Sequence, residues 1–109
     1  MKDLICLKRY PEARDLARKQ IPLAKSVFGD DCRVTLMMRR RLAVALYFDP
    51  DASLGDLVEA AAILEDVSRR WLQVFGSAHP ELKGVQDTSK DARRRLAMAR
   101  AGTPVTWPD

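Results

Sequence analysis

His79 is the only histidine in this 109-residue chain, and with Cys6 and Cys32 it completes the set of soft ligands available. An imidazole can shuttle a proton or hold a metal. General acid–base work, however, needs a nucleophile or a carboxylate within hydrogen-bond reach, and the acidic residues here are scattered along helix exteriors. The two cysteines lie 26 positions apart (32 minus 6) and lack the CxxC spacing of a zinc site. His79 is followed by Pro80, and His-Pro at a helix start has a structural explanation, because proline fits the first helical position. The sequence therefore assigns no catalytic residue, no metal site and no cofactor.

Charge is the other chemistry on offer. Lys and Arg number 19 against 15 Asp and Glu, for a net charge of +4. Arg39-Arg40-Arg41 and Arg93-Arg94-Arg95 are each followed by Leu-Ala. Three successive helical residues spread over most of the circumference, so neither triplet is a patch by itself. No aromatic interleaving or groove-reading motif accompanies them, which argues against a nucleic-acid reader. A small basic helical nucleic-acid-binding domain is the alternative reading, and its affinity would fall steeply with salt.

The elements that carry these residues are set by a repeat. Val27-Phe28-Gly29 recurs as Val74-Phe75-Gly76, and the same shift of 47 (76 minus 29) places Glu12-Ala13 on Glu59-Ala60 and Leu16 on Ile63. A period of this length points to stacked helical hairpins. Apolar steps of three and four predict helices over 11–28 (Ala13, Leu16, Ala17, Ile21, Ala24, Val27, Phe28), 32–48 (Val34, Met38, Leu42, Ala45), 54–75 (Leu57, Ala60, Ala61, Leu64, Val67, Trp71, Val74, Phe75) and 80–101 (Leu82, Val85, Ser89, Ala92, Leu96, Ala99). Residues 1–9 read as the end of a further helix, for about five in all. Pro22 predicts a kink or a split in the second. Gly29 is expected as an αL cap, Asp30 or Asp31 as the following N-cap, and Ser53 with Asp56 as a capping box. Residues 102–109 form a tail in which Trp107 is loose or docked on the last helix.

No run approaches the ~18 apolar residues of a membrane span, and the sequence predicts no signal peptide. Two widely spaced cysteines agree with a reducing cytoplasmic setting.

With these boundaries placed, the pattern resembles tetratricopeptide repeats of the kinesin-light-chain type, whose helices are linked by Leu-Gly-x-x-His-Pro with Leu-Ala about a dozen residues on. Phe28-Gly29-Asp30-Asp31-Cys32-Arg33 precedes Leu42-Ala43, and Phe75-Gly76-Ser77-Ala78-His79-Pro80 keeps His-Pro. Tyr10, Glu12 and Ala13 are similar to the family's Gly-x-Tyr-x-x-Ala turn, with Lys8 in place of Gly. Cys32-Arg33 departs from His-Pro, and Leu96-Ala97 arrives 20 residues after Gly76 (96 minus 76), against 13 from Gly29 to Leu42 (42 minus 29). That lengthening resembles a terminal cap, so the chain is read as the C-terminal end of an array.

The resemblance implies an all-α fold, a right-handed superhelical stack of antiparallel helix pairs over 1–101. It also implies a non-catalytic adaptor or scaffold that grips a partner peptide on its concave surface. With Leu42-Ala43 as the packing pair, Met37, Arg40, Val44 and Tyr47 fall on the groove side. Arg40 replaces the family's Asn, which would suit an acidic peptide. Met38 is expected in the core, with Met37 left exposed as an adaptable contact. A self-associating module is a third reading, through an apolar edge at Leu4, Ile5 and Leu7.

Overall fold

The computed structural model describes residues 9–102. They form four helices, α1 (Tyr10–Phe28), α2 (Arg33–Phe48), α3 (Leu54–Phe75) and α4 (Pro80–Arg100), with no strand among them. The expected opening helix lies outside the described residues except for Arg9, as do Leu4, Ile5, Leu7 and the tail with Trp107.

Local chemistry sets the helix ends. Pro11 and Pro80 stand in the first turns of α1 and α4, where a missing N–H costs no intrahelical bond. Pro22 lies inside α1, which runs on to Phe28 without a break. Gly29 and Gly76 end α1 and α3 at φ 86°, ψ 172° and φ 81°, ψ 171°. These ψ values are extended, so the expected αL geometry of Gly29 is corrected to a region that only glycine occupies without strain. Each glycine donates its N–H to the carbonyl four residues back, Lys25 O at 2.9 Å and Leu72 O at 3.0 Å.

Ser53 and Asp56 close the capping box at the start of α3, each side chain accepting the other's backbone N–H at 3.1 Å. The expected cap of α2 is corrected. Cys32 is its N-cap and makes no side-chain cap bond. Asp31 instead pairs with Arg70 at 2.8 Å, because α3 brings a guanidinium to it. The turn is held by Thr35, whose Oγ1 donates to Gly29 O at 2.8 Å.

The helices make two layers, with α1 and α3 in one and α2 and α4 in the other. α2 packs between α1 and α3 and also touches α4, which packs on α3. One core cluster joins Ala17 of α1 and Leu42, Ala43 and Leu46 of α2 to Leu57, Ala60 and Leu64 of α3. A second joins Leu36 of α2, Val67 and Trp71 of α3, and Leu82 and Val85 of α4. Small Ala60 and Ala61 let helices approach closely in the first cluster, whereas Trp71 fills the second.

Three stripes differ from expectation, that of α3 at its end, where Val74 is 47% exposed. On α1, Val27 is 71% exposed and Phe28 54%. The repeat supplies the reason: Phe75 is half-buried against Trp71 and His79, with ring centroids 4.8 and 5.2 Å away. Forty-seven residues earlier those two partners are Ala24 and Cys32, so Phe28 has no ring to pack on. On α2, Val34 is exposed and Met38 half-buried, while Leu36, Ala43 and Tyr47 are buried. A helix with neighbours on three sides buries more than one stripe.

Candidate partner-binding surface

The layer formed by α2 and α4 is built on three arginine contacts whose residues lie 48 apart. Arg33 forks onto Glu81, with Nε to Oε2 at 3.1 Å and Nη2 to Oε1. Arg40 Nη2 donates to Thr88 Oγ1 at 3.0 Å and to Gly84 O at 3.3 Å. Arg95 reaches back from α4, its Nη1 donating to Tyr47 O and its Nη2 to Asp49 O at 2.8 Å. Positions 33, 40 and 47 are spaced by seven, about two helical turns, and so share one face of α2. Positions 81, 88 and 95 do the same on α4. The three contacts lock the two helices in register.

Their electrostatics follow from burial. The hydrogen bond from Arg33 holds the Glu81 carboxyl below its usual range, even though it is close to solvent. Burial pushes the Tyr47 phenol well up and the Arg95 guanidinium down. Arg95 tolerates its position because the carbonyls at the end of α2 carry the negative end of the helix dipole.

Gly84 lies under the middle contact. A Cβ there would stand 3.5 Å from Arg40 Nη2, an ordinary van der Waals distance. Gly84→Ala is therefore expected to leave the contact in place and to stabilise the fold by about 0.5–1 kcal/mol through the helix-interior cost of glycine. Urea unfolding of the two chains measures it.

Across the molecule, Asp66 of α3 draws together three arginines: Arg39 at 2.8 Å, Arg70 at 2.9 Å, and Arg69. Burial alone would raise its pKa. Hydrogen bonds from Arg39, Arg70 and Arg69 outweigh that and hold it at about 2. A carboxyl depressed in the folded state stabilises the fold fully above its unfolded pKa, and the stabilisation fades as pH falls through the folded value. Acid titration is thus expected to remove on the order of 1–2 kcal/mol between pH 4 and pH 2, after allowance for solvent screening. In Asp66→Asn that part of the loss should be missing.

The four residues expected on the groove side all lie along this layer, though not as free contacts. Met37 is half-buried against the second core cluster and Val44 against the first. Arg40 is half-buried, with Nη2 committed to α4. Tyr47 is 2% exposed and belongs to the core, so its ring offers little area to a partner. The expectation that Met37 stands clear of the core is corrected by the same packing. The contacts of Arg33, Glu81, Thr88 and Arg95 were not read from the sequence. Their signal is a separation one residue longer than the repeat.

His79 caps α4, its Nδ1 accepting the Glu81 N–H at 3.2 Å, and its ring stands edge-on to Trp71 at 5.3 Å. Among the described residues no group of three or more His, Cys, Asp or Glu is placed to hold a metal, and no helix is long and apolar enough to cross a membrane. Cys32 is a free thiol, and Cys6 lies outside the described residues.

No curated protein and no solved structure matches the chain. Residues 51–81, which span the loop before α3, α3 itself and the first turn of α4, match the family model of the tetratricopeptide repeat. With the all-helical hairpins and the two glycine-closed linkers of equal geometry, that match supports a protein of tetratricopeptide type, a fold that generally mediates contact between proteins.

Proposed function

We propose that the chain is a non-catalytic adaptor that binds a peptide segment of a partner protein on its α2/α4 layer, the concave side of a kinesin-light-chain-like stack. The observation that carries this reading is the row Met37, Arg40 and Val44, half-buried at spacings of three and four on one face of α2. Arg40 commits only Nη2 to α4, which leaves Nε and Nη1 as donors for a carboxylate or a peptide carbonyl. Met37 and Val44 supply apolar contact on either side, and Tyr47 forms the floor beneath. An acidic segment suits this row best.

Two further features belong to the same reading. The polar outer side of α4 suits the last helix of an array, where no further repeat has to pack. Such an adaptor would work in the cytoplasm within a larger assembly.

A pulldown with mass spectrometry tests the proposal, comparing the intact chain with a Met37→Glu, Arg40→Gln variant whose helicity and melting are checked first. Partners captured by the intact chain should be lost from the folded variant. An unchanged set of partners removes the site from this layer.

A further inference from the structure

The groove between α3 and α4 measures about 310 Å³ and is lined by Glu65, Ser68, Gln86, Ser89, Lys90 and Arg93. Shifted back by 47, these positions are Arg18, Ile21, Arg39, Leu42, Ala43 and Leu46. Two of those six pair with α3, and the other four belong to or pack against the core cluster that α3 shares. Leu42, Ala43 and Leu46 are in the core cluster with Leu57, Ala60 and Leu64, and Ile21 packs against it. Arg18 forks onto Glu59 at 2.9 and 3.1 Å, and Arg39 pairs with Asp66 at 2.8 Å. The α3/α4 groove is therefore the repeat counterpart of one that already seats a helix.

Its chemistry has been replaced. Where the first groove has an apolar floor, this one has Ser68, Ser89, Lys90 and Arg93, and where that rim has Arg18 this one has Glu65. Glu65, Lys90 and Arg93 are exposed and make no ion pair among the described residues. Ser68 Oγ is buried without a hydrogen-bond partner, a state that folded proteins seldom leave uncompensated.

A second copy of the chain does not suit this groove. Continuing the stack head to tail would set α1 of the next copy where α3 sits in the first groove, and Glu12 would take the position of Glu59. Glu12 would then face Glu65, a like-charge contact in place of the Arg18–Glu59 pair.

We infer that the α3/α4 groove is a docking site for a helix of a partner protein that carries a lysine or arginine opposite Glu65 and carboxylates opposite Lys90 and Arg93. This surface is distinct from the α2/α4 layer and stands or falls separately. Its exposed Glu65, Lys90 and Arg93 make recognition depend on charge, and salt weakens it.

Two synthetic fluorescein-labelled peptides test the inference. Both copy α3 from Leu54 to Phe75 with Ala61→Glu and Leu64→Glu, and one also carries Glu59→Lys. Fluorescence anisotropy against the intact chain should show saturable binding of the Glu59→Lys peptide, about tenfold tighter than of the peptide that keeps Glu59. Glu65→Lys in the chain should reverse that order, and Lys90→Glu with Arg93→Glu should weaken both peptides about tenfold. These side chains are exposed, so circular dichroism should show each variant folded. Absence of saturable binding, an order of preference that Glu65→Lys leaves intact, or self-association of the chain that the peptides displace would overturn the inference.

Discussion

Trp71→Ala is expected to cost about 3–5 kcal/mol of folding stability. The side chain is 0% exposed and sits where three helices meet, among Leu36 of α2, Val67 of α3, and Leu82 and Val85 of α4. Removing the indole leaves a cavity that these neighbours cannot fill, since each is fixed by its own helix. It also takes away the ring that Phe75 and His79 pack on, at 4.8 and 5.3 Å, and so loosens the linker between α3 and α4. A domain of this size has a total stability of about 5–15 kcal/mol, so the variant should be partly unfolded at physiological temperature. Trp71→Phe separates volume from polarity. The indole Nε1 is buried without a hydrogen-bond partner, so the smaller ring forfeits packing but no hydrogen bond. Its cost should be well under half that of alanine. Equal losses for the two variants in urea unfolding would mean that the polar atom matters and the volume does not.

The backbone plan was legible because it rests on strong local signals. The Gly29 and Gly76 stops, the Ser53–Asp56 box and the proline starts each act within one turn of chain. Side-chain partners were less legible. Phe28 and Phe75 occupy equivalent places, and their different burial depends on Ala24 and Cys32 standing where Trp71 and His79 stand. On α2, periodicity could propose a stripe through Val34 and Met38, but α2 has neighbours on three sides and buries Leu36 and Tyr47 instead. Arg40 was read as the cation of a groove, and the structure gives it a hydrogen bond to Thr88 as well. Long guanidinium side chains choose partners by the angle and register of packed helices, which the period alone does not specify. The α3/α4 groove shows the converse: its six lining positions are found by the 47-residue shift, but only after the packing of α3 has revealed what the first groove does.

Replacing Arg95 should have the second large effect, by another mechanism. Arg95 is 5% exposed, and its guanidinium donates to Tyr47 O and Asp49 O, carbonyls at the end of α2. The carbonyls of a last helical turn have no intrahelical donors, and burying one that has lost its donor costs about 1–3 kcal/mol; Asp49 O keeps the Ala52 N–H, so the loss falls mainly on Tyr47 O. Arg95→Met keeps much of the aliphatic volume and removes the donors, so its loss of about 1–3 kcal/mol would be mostly polar. Lysine should recover only part of this, because an ammonium lacks the planar fork that reaches two carbonyls at once. Location distinguishes this effect from that of Trp71. Asp49 O also accepts the Ala52 N–H at 3.0 Å, holding the turn that leads into α3. In Arg95→Met, native-state hydrogen exchange at Ala52 should speed up by more than the global loss of stability accounts for, while amides around Trp71 follow the global change. Uniform acceleration across all four helices would instead show that Arg95 acts as core volume and not as the cap of α2.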